Sequence, residues 1–243
     1  MLPIGDDNRG RQLTPIVNWL LILANLAVFI YQIYLPMPDL ERFLWAYGAI
    51  PADLTDAFPS PSIDSLTVYS TIFTSMFLHG SILHFLGNML FLWVFGDNIE
   101  DAMGHVGYLL FYIAGGFSAA LAHIAFEIDS VVPMIGASGA ISAVMGAYLL
   151  LFPGGMVRVL IFIGIPLIFS VPALLVIGMW FATQLMSGMA ALEGAGEAAG
   201  GIAFWAHIGG FVAGAVLVWF FRDPYAVERQ KAARSGRRAF GRM

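Results

Sequence analysis

The chain has 243 residues, 59% of them hydrophobic and only 11% charged, where an average soluble domain carries about 25% charged residues. That balance excludes an ordinary cytosolic enzyme, a disordered protein and a nucleic-acid binder with a basic face. With no cysteine in the chain, a disulfide framework, a Cys-ligated metal and a cysteine nucleophile are excluded as well.

The 27 Gly, 20 Phe and 12 Met suit a helical membrane protein, in which small residues let helices approach closely. The net charge of −5 says less than where the charges sit. Asp, Glu, Lys and Arg are costly in the hydrocarbon core, so long charge-free gaps mark candidate spans. Six occur, at 12–38, 65–96, 102–126, 130–157, 159–192 and 198–221; the gap at 43–52 is too short to cross.

In chain order, residues 1–14 form a polar segment. A first span is predicted over 15–35, too long and without the small-x-small site of a cleavable signal. Spans follow at 81–97, 106–126, 137–152, 172–188 and 201–221, and 222–243 is a basic tail. Two gaps exceed one helix. The front of 65–96 is rich in Ser and Thr, and the front of 159–192 holds Pro166 and Pro172. Both fronts are predicted to lie at the interface or re-enter the membrane. The expected fold is an all-α membrane protein, a six-helix bundle over 15–221 without internal repeats.

Ten of the eleven Lys and Arg residues then fall on the side of the two termini, and only Arg42 on the other. The positive-inside rule places both termini in the cytoplasm. The tail reads as a topology anchor resting on the bilayer, not as a nucleic-acid site.

Polar residues within spans are functional candidates by default, although many serve packing. In the second span His84 and Asn88 are four residues apart and share a helix face. His79 reads as a wet boundary residue. In the fourth, Ser138 stands between Gly136 and Gly139 at a helix start, where free backbone N–H groups and a positive dipole end could form an oxyanion hole. In the sixth, His207, Gly210 and Gly214 share one face, so another helix can come close. All four polar side chains fall in the outer half of a core roughly 30 Å thick. His105 lies at the opposite end. His123 has no helical polar partner and is assigned to loop or core.

A serine hydroxyl needs a base, and a neutral histidine can take its proton and later protonate a leaving amine. Ser138 is therefore the candidate nucleophile and His207 the candidate general base and acid. His84, Asn88 and the Ser138 backbone N–H are candidate oxyanion donors. No carboxylate falls within the predicted spans at that depth, so the pair is expected to be a dyad. No cofactor or metal is called for, and H-E-x-x-H is absent.

The sequence resembles the rhomboid intramembrane serine proteases. The resemblance rests on six spans, H-x-x-x-N at His84 and Asn88, G-x-S-G from Gly136 to Gly139, and A-H-x-x-G at Ala206, His207 and Gly210. It implies cleavage of single-pass membrane proteins in or near their transmembrane segments, a Ser138–His207 catalytic pair, and an oxyanion role for His84 and Asn88. It also implies an outer loop over about 38–80 that dips into the bilayer, a fifth helix with Trp180 and Phe181 that gates lateral access, and a multi-pass location in a bacterial cell membrane. Two departures stand out. Ser70 and Thr71 occupy the place of the family's frequent Trp-Arg pair. Ser142 replaces an aromatic that commonly stacks on the histidine, so another residue must hold His207. The alternatives are a catalytically silent rhomboid-like binder of membrane helices and a small transporter, whose usual repeats and midplane acids this sequence lacks.

Overall fold

The computed structural model describes residues 2–57, 63–192 and 203–236. The predicted start of the sixth span at 201, the loop acids Glu193 and Glu197, and the tail residues Arg237, Arg238 and Arg242 lie outside them. The long apolar helices are α1 (Ile16–Tyr34), α5 (Ile82–Met103), α6 (His105–Phe126), α8 (Ala173–Leu192) and α9 (Phe204–Phe221). These five are long and apolar enough to cross a membrane. A sixth apolar helix, α7 (Ser138–Leu151), has 14 residues.

The short helix is the centre of the bundle. Every residue of α7 from Gly139 to Tyr148 is buried, and its small side chains admit close neighbours. A Cβ on Gly210 would collide with the Gly139 carbonyl oxygen, one on Gly214 with that of Ala143, and one on Gly146 with that of Phe211. Glycine on both helices thus brings α7 and α9 to backbone contact, the small-residue packing of membrane helices.

Between α1 and α5 the chain forms α2 (Met37–Tyr47), α3 (Pro51–Ala57), α4 (Ile63–Thr74) and a 3₁₀ turn (Ser75–Phe77). This region is fastened to the strand-like stretch before α7. Ala49 and Met134 exchange backbone hydrogen bonds, and the Gly136 N–H donates to the Ser75 carbonyl at 2.8 Å.

The fold is mostly helical, with one departure from the all-α expectation. β1 (Leu2–Gly5), β2 (Met156–Phe162) and β3 (Pro166–Pro172) make an antiparallel sheet in the order β1-β2-β3. The front of the 159–192 gap is therefore a β-hairpin. The reason is local. Met156–Phe162 is rich in β-branched residues and alternates at its start, with Val157 and Val159 buried and Arg158 exposed. Gly164 turns the chain at φ +92°, and the two prolines fall at the ends of β3.

A second departure is the length of α5. It runs past the predicted end at 97 to Met103 and carries Asp97, Glu100 and Asp101 buried on its last two turns. Each carboxylate is satisfied. Glu100 accepts from the backbone N–H groups of Val17 and Asn18 at 2.9 and 2.7 Å, neutralising the open start of α1. Asp101 accepts from the N–H groups of Gln12 and Leu13, both at 2.8 Å, and from Arg229 and Gln230. Asp97 pairs with Arg11. The tail supplies part of this cluster through α10 (Pro224–Arg234). Arg229 and Arg234 face the protein's own acids and carbonyls.

Candidate active site

The site lies at the other end of the bundle, on the first two turns of three helices. Ser138 opens α7, His207 is the fourth residue of α9, and His84 and Asn88 are the third and seventh residues of α5. At 1.5 Å per residue each lies within about 9 Å of the start of its own helix. Ser138 Oγ lies 2.7 Å from His207 Nε2. The α7–α9 glycine contacts make this approach possible, because Gly210 sits one turn below His207 against Gly139.

Gly136 joins the other two side chains to this pair. Its φ of +122° is a conformation that L side chains rarely adopt. A Cβ there would also stand 2.8 Å from His84 Nε2 and 3.6 Å from Asn88 Nδ2. The backbone leading into Ser138 thus runs directly past both side chains. Asn88 is buried, and its Nδ2 has no hydrogen-bond partner among the described residues. An unsatisfied buried donor is costly, and here it belongs to a group that can bind an oxygen. The N–H groups of the first turn of α7 have no intrahelical acceptor either. A cavity of about 20 Å³ touches Ser138, Gly136, Ser75 and Ala203, room for one water.

The remaining sequence-predicted residues fall as follows. Gly139 and Gly210 serve the close packing. Ser142 donates to the Ser138 carbonyl at 2.6 Å and does not reach the imidazole. His79 is buried, not wet, and packs edge-on against Phe29, His84 and Phe85. His123 lies in α6, and His105 meets Glu100 at the far end. No group of metal-ligating residues occurs among the described residues.

A family profile described as a rhomboid domain matches residues 67–224. The chain belongs to the rhomboid family. Residues 67–224 include all four polar side chains of the site. Rhomboid protein 1, mitochondrial, of Saccharomyces cerevisiae is 28% identical over 227 residues, covering 90% of this chain and 57% of that protein. The presenilin-associated rhomboid-like protein A, mitochondrial, of Danio rerio is 27% identical, covering 77% of this chain and 46% of that protein. The rhomboid protease GluP of Bacillus subtilis is 38% identical over 78 residues, or 32% of this chain and 15% of that protein. This rhomboid thus spans about half the length of the first two relatives. Its apolar helices and family make it a multi-pass membrane protein.

One residue of the site escaped the sequence reading. Gln184 on α8 places Oε1 2.7 Å from His207 Nδ1. One turn earlier, the Trp180 ring lies 5.8 Å from the imidazole, tilted by 40°. The available signal was composition: Gln184 is the single amide side chain of α8, four residues from Trp180 and so on the same face. A second missed pattern holds the scaffold. Asn18, Asn25 and Gln32, spaced by seven on α1, are all buried, and Gln32 both donates to and accepts from the His79 backbone at 3.1 Å.

Proposed function

We propose that this rhomboid is an intramembrane serine endopeptidase that hydrolyses peptide bonds in or near the transmembrane segment of single-pass membrane proteins. The observation that carries the reading is the 2.7 Å approach of Ser138 Oγ to His207 Nε2, beside the buried Asn88 amide donor, which has no partner among the described residues. In the reaction, His207 Nε2 takes the Ser138 hydroxyl proton as the oxygen attacks the scissile carbonyl carbon. Asn88 Nδ2, His84 and the Ser138 N–H donate to the oxyanion that forms. His207 then protonates the leaving amine, and the C–N bond breaks to leave an acyl-serine. Water attacks the ester with His207 again as base, which restores the serine.

The same reading has six spans, both termini cytoplasmic, and the site opening to the outer side of a bacterial cell membrane. Ten of eleven cationic side chains on the terminal side support the orientation. At 14 residues α7 rises about 21 Å, some 9 Å short of the hydrocarbon core. A helix with one end at the cytoplasmic face would then start below the outer surface, at the depth the site requires. GluP, the Bacillus subtilis relative, is named as a protease, which fits.

Purified wild type, Ser138→Ala and His207→Ala incubated with a model single-span substrate test the proposal. Cleavage is expected from wild type alone. Cleavage that survives Ser138→Ala overturns the serine mechanism. A wild type that neither cleaves nor reacts with a fluorophosphonate probe supports a non-catalytic membrane-helix binder instead.

A further inference from the structure

We propose that Gln184 is the positioning residue that selects the productive tautomer of His207, a role that rests on the serine-protease reading. A neutral imidazole carries its proton on one nitrogen only, and the partner of the other nitrogen decides which. To accept the Ser138 proton, Nε2 must be bare, so Nδ1 must carry the hydrogen. The group facing Nδ1 must therefore accept. Among the described residues that group is the Gln184 amide oxygen, 2.7 Å away. The carboxylates of α5 belong to the opposite end of the helix, 13 residues or about 20 Å beyond His84.

An amide is ambiguous, because turning it over would present its NH₂ to Nδ1. That arrangement would force the hydrogen onto Nε2, which would then donate to Ser138 and lose its capacity as a base. The neighbouring residue removes the ambiguity. Thr183 Oγ1 donates its one hydrogen to the Trp180 carbonyl at 2.6 Å. Its lone pairs are left to accept, and Gln184 Nε2 donates to them at 3.3 Å. The donors therefore run in one direction: Ser138 to His207, His207 to Gln184, Gln184 to Thr183, and Thr183 to the backbone of α8. Trp180 restricts the plane of the imidazole from the same helix face. The relay is carried by α8, the least enclosed of the five long apolar helices. His207 is thus oriented only while that helix is seated.

The test compares wild type with Gln184→Met, which keeps the length and removes the acceptor, Gln184→Glu, which keeps the acceptor, and Thr183→Val. Imidazole ¹⁵N spectra, with His207→Ala for assignment, read the tautomer. Turnover of a single-span substrate and the rate of fluorophosphonate labelling read the chemistry. Wild type is expected to show a protonated Nδ1 and a bare Nε2. Gln184→Met is expected to populate both tautomers and to lower kcat about 3- to 10-fold with KM little changed, the rate equivalent of one neutral hydrogen bond. Labelling falls by the same factor, Gln184→Glu restores the tautomer, and Thr183→Val gives a smaller loss of the same kind. A wild-type tautomer and wild-type kcat in Gln184→Met overturn the proposal. So does a loss of substrate cleavage with labelling unchanged, which would assign Gln184 to the substrate path. If wild type neither cleaves nor labels, the protease reading fails, and the ¹⁵N spectra still decide whether Gln184 governs the imidazole.

Discussion

Asn88 holds a buried amide N–H beside Gly136 with no partner among the described residues. Replacing it by alanine removes no side-chain hydrogen bond among the described residues, so the variant is expected to fold as wild type does. Its cleavage should nevertheless slow about 10²- to 10³-fold, the typical effect of losing one oxyanion donor. Single-turnover cleavage with a thermal midpoint measured in parallel checks this, and an unchanged rate moves the oxyanion role elsewhere. Ser138, His207, His84 and Asn88 were legible because a polar group in a charge-free run must have a reason to be there. Gln184 was not, because one amide on an otherwise plain helix carries no periodic signal. Only the direction of the Thr183 and His207 hydrogen bonds gives it meaning. His79 misled for a related reason: sequence placed it at a boundary, while Phe29, Phe85 and the Gln32 clamp enclose it.

At the level of elements, the seam between α7 and α9 fixes the distance across which Ser138 meets His207. A methyl group on Gly214 would run into the backbone of Ala143, and backbone cannot rotate away. Gly214→Ala is expected to destabilise the protein by about 1–3 kcal/mol, as overpacking does, and to slow cleavage by spreading the two helices. The thermal midpoint in detergent reads the first effect; a midpoint equal to wild type would show that the seam is looser than described. Charge gaps located the six apolar helices, the end of α5 and the predicted start at 201 aside, because burying a charge in apolar surroundings is costly. They misjudged the end of α5, since Asp97, Glu100 and Asp101 are sheltered by N–H groups, Arg11 and Arg229 and need no water. They also could not tell hairpin from helix over 156–172, where apolar content alone does not distinguish the two.

For the molecule as a whole, the terminal end is tied together by ion pairs and hydrogen bonds. Asp6 accepts from Asn98 and Tyr148, both at 2.6 Å. Burial, and then the neighbouring charge of Asp97, push its carboxyl up to about 7, against relief from Tyr148, Arg234 and Asn98. Between about pH 4 and 7 the folded protein therefore holds a proton that the unfolded chain releases. Its stability is expected to fall as pH rises through that window. Thermal midpoints at pH 5 and pH 8 should show the decline in wild type and a flatter profile in Asp6→Asn; a slope that Asp6→Asn leaves intact assigns it to another group. The bonds of the tail residues Arg229 and Arg234 were not legible in composition, because pairing between residues more than 120 positions apart leaves no mark in a local window.

That separation bears on how the protein is made. Arg229 reaches Gly10 across 219 residues, and β1 finds its partner only after β2 has been translated. Segments near the amino terminus leave the ribosome first and must wait. β2 precedes α8 and α9, so the opening strand can pair before those helices exist, whereas α10 follows every apolar helix and its half of the clasp that joins the two ends cannot close until the whole bundle has been made.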